Sequence, residues 1–258
     1  MKAGEIVKVL EDFAPCSIQE SWDNSGFIIG NEGAEVKSVL LALDCTPAVI
    51  EEAIESGTDM IITHHPLIFS PLKRITGSGI VEKMVERSIK NNLIIYSIHT
   101  NIDKVISGVS GLMAENLGLC NVRLLSKEEN DNFGLGVIGE FKGRLDFQEV
   151  VSLVKEKFSV KNIRCSRPID KKIKKVALCG GSGSSLISAA KDSGAQIFIT
   201  GDLKYHDFLC EDGFMVMDIG HFESETGVLE LLRSILLKNL VTFAVRISEN
   251  NNNLIYYY

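Results

Sequence analysis

The 258-residue chain is 45 % apolar and 24 % charged, the balance of a globular protein long enough for one large domain or two ordinary ones. A net charge of −7 argues against a nucleic-acid partner gripped through its phosphates, and no apolar stretch approaches the ~20 residues of a membrane span. Six scattered cysteines without a CxxC pair fit a reduced compartment, and charges at Glu5, Lys8, Glu11 and Asp12 interrupt any signal core, so a cytoplasmic location is expected.

MKAGEIVKVLEDFAP reads as an amphipathic helix stopped at Pro15. Trp22-Asp23-Asn24-Ser25-Gly26, ahead of the strand FIIG, has two open readings: a turn built on Asx chemistry, or a pocket wall using the chain's one tryptophan. Residues 39–65 then give an apolar strand, a helix-like stretch, a Ser56-Gly57 stop and a second strand ending in His64-His65. Glycine after the last periodic residue is a C-cap signal, and β-branched runs suit buried parallel strands, so this is a βαβ unit. After Asn91-Asn92 the strand LIIYSI ends at His99, with Asp103 four residues on. A polar break over Ser126–Asn132, a strand (GLGVIGEF) and a helix (FQEVVSLVKEKF) follow, then a basic run at Lys171–Lys175 that reads as a solvated loop.

Residues 175–202 repeat the pattern of 39–65: Ser193-Gly194 and Thr200 stand 137 positions after Ser56-Gly57 and Thr63. The Gly180–Ser185 run lacks the P-loop lysine and the third glycine of a dinucleotide fingerprint; it reads as a tight turn, with a phosphate cradle as the alternative. GDLKYHD carries His206, and FMVMDIG ends near His221, with Glu225 again four residues on. The C-terminal VTFAVRISENNNNLIYYY reads as two strands around an Asn-rich turn, its Tyr256–Tyr258 an edge strand or subunit contact.

The expected fold is therefore α/β: two similar α/β domains from an internal duplication, with mixed sheets flanked by helices and a metal cleft between them. The expected bounds are 1–126, carrying the HHP and HTNID motifs, and 127–258, carrying GDLKYHD and GHFESE, with the C-terminal strands packing back on the first. Open α/β sheets place ligands beyond the carboxyl ends of their strands, where these histidines and acids gather. His64, His65, Asp103, His221 and Glu225 are more donors than one catalytic zinc takes, and they suit two divalent ions sharing a carboxylate. Nitrogen and oxygen donors fit Zn, Fe, Mn, Co or Ni alike. His99 and His206 stand open between structural hydrogen bonding and general acid–base work, Asp103 has the alternative of a helix N-terminal acid, and Glu223 competes with Glu225.

SWDNSGFIIG, LLALDCTPAVIEEAIESGTDMIITHHPLIF, SIHTNID, ITGDLKYHD and DIGHFESE resemble, in order over about residues 20–230, the motifs of the NGG-interacting-factor-three-like family. Its bacterial members often carry the label GTP cyclohydrolase I type 2 homologue. The resemblance implies two similar α/β domains, a toroidal homohexamer and a dinuclear centre on His64, His65, Asp103, His221 and Glu225. The leading expectation is a metal-dependent hydrolase acting on a nucleotide-like or pterin-like small molecule, with His99 or His206 moving protons. The competing one is a non-catalytic metal-binding or metal-delivery protein or scaffold.

Overall fold

The computed structural model describes residues 1–127, 132–241 and 243–257. Most of the polar break expected over 126–132, and the last residue of the Tyr256–Tyr258 stretch, lie outside the described residues. In chain order the elements are α1 (Ala3–Phe13), β1 (Gly26–Ile29), β2 (Ser38–Ala42), α2 (Pro47–Glu55), β3 (Met60–Thr63), α3 (Ile80–Lys90), β4 (Ile94–Ser97), α4 (Thr100–Asp103) and α5 (Val109–Asn116). They continue with β5 (Cys120–Lys127), β6 (Gly134–Leu145), α6 (Phe147–Phe158), β7 (Arg164–Cys165), β8 (Ile173–Ser182), α7 (Ile187–Asp192) and β9 (Ile197–Gly201). The last four are β10 (Met215–Asp218), α8 (His221–Glu225), α9 (Val228–Asn239) and β11 (Ala244–Ile247). Among the described residues, no helix is long and apolar enough to cross a membrane.

The chain forms two compact units: Met1–Ile102 with Val228–Tyr258, and Asp103–Gly227. The first carries a sheet of order β1-β4-β3-β2-β11, parallel throughout except for β1. Its central strands are buried on both faces, as parallel strands must be when helices cover them. Alternation then assigns the faces: Leu40 and Ala42 of β2 meet Val49, Ile50 and Ala53 of α2 and Met84 and Val85 of α3. Each large side chain removed from water there contributes about 1.5–3 kcal/mol. α2 begins where Thr46 caps it, its hydroxyl accepting from the Val49 amide, with Pro47 at the first helical position.

The second unit has the order β5-β6-β8-β9-β10-β7, with β8, β9 and β10 parallel and the other pairs antiparallel. Val176 and Leu178, Ile197 and Ile199, and Met215 and Met217 face α5 and α6, where Met113, Ala114, Val150 and Val154 close the core. The alternate residues Ala177, Cys179, Phe198 and Val216 face Leu186 and Ala190. Two mixed sheets flanked by helices, the first with four parallel strands and the second with three, are the expected architecture. The expected bound at 126 differs from these units, because α5 buries Met113 and Ala114 in the second core, followed by Leu117, and β5 pairs with β6. The C-terminal segment belongs to the first unit, where β11 extends the sheet beside β2 and α9 packs on α1 and β2.

The C-terminal hairpin is a correction. After β11 the described residues form no further strand. Side chains take the groups a hairpin would pair: Glu52 accepts from Ser248 Oγ and from the amides of Glu249 and Asn250, and Asn251 Oδ1 accepts from the Leu43 amide at 2.7 Å.

Candidate functional site

In the first unit, parallel pairing carries the ends of β2, β3 and β4 to one edge of the sheet. Asp44 stands two residues after β2, His64 and His65 directly after β3, and His99 two residues after β4. The amides of His64 and His65 still bond the Ala42 and Leu43 carbonyls at 3.2 and 2.9 Å, so both residues leave the sheet in ordered backbone. His64 is fully buried, with Nδ1 2.9 Å from the Ile98 carbonyl oxygen. A carbonyl only accepts, so Nδ1 carries the proton and Nε2 of the neutral ring holds the lone pair.

The same logic orients the other rings. His65 Nδ1 lies 2.9 Å from Asp44 Oδ1, and His99 Nδ1 lies 2.7 Å from Asp23 Oδ1. The centroids of the three rings are 4.9–5.4 Å apart, and one ligand atom from each falls within 4.8 Å of the others. Thr63 Oγ1 braces the turn, donating to the His65 carbonyl at 2.7 Å. The Asp23 side chain is fully buried and also accepts from the amides of Asn24 and Thr100. Burial alone would raise its pKa, but the hydrogen bonds from His99 and Thr100 hold the carboxyl well below the usual range.

In the second unit His221 opens α8 and Glu225 closes it, an i,i+4 pair on one face. His221 Nδ1 lies 2.8 Å from Asp202 Oδ2 and Nε2 lies 2.9 Å from Glu225 Oε2. Glu225 is 3 % exposed. Glu223, its competitor, turns its carboxyl back over Gly220, where a Cβ would collide with it. Burial first, then the charges of Asp103 and Glu225, pushes the Cys179 thiol up, so both acids act on the end of β8.

The Gly180–Ser185 run is structural. The amides of Gly180, Gly181 and Gly183 are taken by the hydroxyls of Ser110, Ser224 and Thr200 at 2.9–3.3 Å, leaving no phosphate cradle there. Gly181 has φ +60°, and a Cβ on it would collide with Glu225 Oε1. A side chain at this position would thus fill the space that Glu225 occupies. The donors therefore fit a divalent metal on two grounds: imidazoles oriented by an oxygen acceptor at Nδ1, and a buried carboxylate given room by a glycine.

His206 belongs to no such group among the described residues. It lies in a single helical turn, Tyr205–Phe208, beside a cavity of about 610 Å³ lined by Arg164, Cys165, Phe208 and Leu209. Sequence reasoning missed Asp23, Asp44 and Asp202, the acceptors behind the rings. The signal for Asp44 and Asp202 was present: each follows a parallel strand, as the histidines do.

A family model described as Duf34/NIF3 (NGG1p interacting factor 3) matches residues 1–253. A Clostridium perfringens protein named GTP cyclohydrolase 1 type 2 homolog is 38 % identical over 233 residues, covering 89 % of this chain and 88 % of that protein. One of the same name from Campylobacter jejuni is 33 % identical, covering 97 % and 98 %. Among solved structures, Staphylococcus aureus SA1388 superposes with a TM-score of 0.91 at 28 % identity, covering 100 % of this chain and 99 % of that one. Reduced HcgD from Methanocaldococcus jannaschii gives 0.82 at 31 %, covering 96 % and 98 %. With a family model matched over nearly its whole length and relatives of this closeness, the chain belongs to the DUF34/NIF3 family.

Proposed function

We propose that this chain is a metal-dependent hydrolase acting on a nucleotide-like or pterin-like small molecule, with His64, His65, Asp103, His221 and Glu225 holding two divalent ions. The observation that carries the reading is the set of imidazoles whose Nδ1 faces a carbonyl or carboxylate oxygen, the arrangement that turns Nε2 toward a ligating role. Zn, Fe, Mn, Co and Ni all suit these donors. Bound ions would lower the pKa of a water and polarise the bond under attack.

The protein's own groups then have separate tasks. Asp44 and Asp202 fix the rings of His65 and His221 and raise their basicity. His99, held by Asp23 within the ring cluster, would move a proton, and His206 is given no step. The small-molecule class follows the name carried by the relatives, and family membership likewise supports a homohexameric ring.

Elemental analysis of the purified protein beside His65→Ala and Glu225→Ala is the test. Two metal equivalents per chain are expected in the parent, with a marked loss in each variant; unchanged content in both would sink the ligand assignment. A metal-loaded protein that turns over nothing in a panel of nucleotides, phosphoesters and pterins would defeat the hydrolase reading in favour of metal handling without catalysis.

A further inference from the structure

Two large aromatic side chains of the first unit stand in the open beside the histidine cluster. Trp22 is 58 % exposed and Phe69 57 %. Single exposed apolar residues are ordinary on a protein surface, but these two touch each other, with centroids 5.9 Å apart and planes tilted by 48°. Each also meets the His99 ring: Trp22 at 6.1 Å and 76°, Phe69 at 6.2 Å and 73°. The three rings are in mutual contact, and the His99 ring in turn meets the imidazoles of His64 and His65.

This surface is held in place. Asn24 Nδ2 donates to the Ile68 carbonyl at 2.7 Å, tying the Trp22 loop to the Phe69 loop. Next to Trp22, buried Asp23 bonds both His99 and Thr100, and Ser25 Oγ bonds Asp23 and Asn101. The loop around Trp22 is thus pinned, and its indole is exposed because the neighbouring residues are fixed. A preorganised aromatic face lowers the ordering cost of binding a flat ring.

We infer that Trp22 and Phe69 form a stacking platform for the planar nitrogen-heteroaromatic ring, of the purine or pterin class, of a small molecule bound beside His99. The inference rests on the hydrolase reading for the presence of a substrate, and it adds where the ring binds and what is selected. Stacking discriminates flat rings from non-planar groups and is tolerant of ring substituents. The platform therefore selects for a base and leaves its identity to other contacts.

Trp22 is the one tryptophan of the chain, so tryptophan emission, excited on the red edge where tyrosine does not absorb, reports on the platform alone. Guanosine 5′-monophosphate, added to the protein with its metal, is expected to quench that emission saturably, while ribose 5-phosphate, which keeps the anion and lacks the ring, leaves it unchanged. By calorimetry, Trp22→Ala is expected to weaken binding of guanosine 5′-monophosphate about tenfold or more, Phe69→Ala less, and Trp22→Phe little. Metal content measured on the same samples separates the two ideas. If the parent and Trp22→Ala hold equal metal yet bind guanosine 5′-monophosphate and pterin equally or not at all, the platform is wrong and the metal reading stands. If the parent holds no metal, the underlying reading fails first, and equal binding of ribose 5-phosphate and guanosine 5′-monophosphate would still overturn the platform.

Discussion

At the end of β3 the first unit sets Thr63, His64 and His65; at the end of β9 the second sets Thr200, Gly201 and Asp202. Both threonines do the same work, donating Oγ1 to a backbone carbonyl, that of His65 in one unit and of Gly181 in the other. The next position diverges for a steric reason. A Cβ on Gly201 would stand 2.9 Å from the backbone nitrogen and Cα of His221, so α8 begins too close for any side chain there. The first unit instead buries a whole imidazole, His64, against the Ile98 carbonyl.

The third position exchanges roles. His65 takes its orientation from Asp44, after β2. Asp202, which matches His65 in the repeat, is itself the acceptor, and the ring it orients is His221, after β10. The position matching Asp44 is Gly181, which gives Glu225 its room. The two units thus share one pairing, imidazole Nδ1 against a strand-end carboxylate, with different strands supplying the partners. The first unit is consequently rich in nitrogen donors and the second in oxygen donors.

The sharpest way to break this comparison is Gly181→Ala. The new Cβ would occupy the place of Glu225 Oε1, and an L-residue at φ +60° adds strain of about 1–2 kcal/mol. Glu225 must shift from His221, so metal affinity should fall by more than the about 10–100-fold typical of outer-shell changes. Titration of the metal-free protein with Zn²⁺ measures it, and affinity within a factor of two of the parent would show that Glu225 needs no such room. Asp44→Asn and Asp202→Asn then ask whether the exchanged roles are equivalent. Each should lower metal affinity about tenfold, the low end of that range, with little change in melting temperature. A tenfold effect from one and none from the other would mean that only one unit's pairing serves the metal.

The pairing of His221 with Glu225 was legible because an acid four residues after a histidine lies on the same face of a one-turn helix. The parallel strands were legible from their β-branched runs and the repeated Ser-Gly stop. The acceptors were not, since Asp23 reaches His99 across 76 residues and Asp44 reaches His65 across 21, and an aspartate in a turn usually signals only local Asx bonding. The expected bound at 126 differs from the bounds of the compact units for a related reason: periodicity shows that α5 has a buried face without showing which sheet receives it. The C-terminal hairpin was a pattern of apolar runs around asparagines, and the distant Glu52 carboxylate overrode it.

That carboxylate also marks the smallest difference between the units. Glu52 sits on α2 and gathers Ser248, Glu249 and Asn250 of the C-terminal segment, whereas the matching position in the second unit is Ala189. Burial would raise the Glu52 pKa, but these hydrogen bonds outweigh it and hold the carboxyl below its ordinary value. A depressed folded pKa contributes stability that is present above the unfolded value, about 4.3, and is lost as pH falls through the folded one. Solvent screening keeps that contribution below about 1 kcal/mol. Glu52→Gln should therefore lower the melting temperature by about 2 °C at pH 7, and the gap should close as the pH falls through the lowered folded-state pKa. Calorimetric scans of both proteins at pH 7 and pH 3 decide it. A gap of equal size at the two pH values would show that the shape of the side chain, and not its charge, holds the C-terminal segment against the first unit.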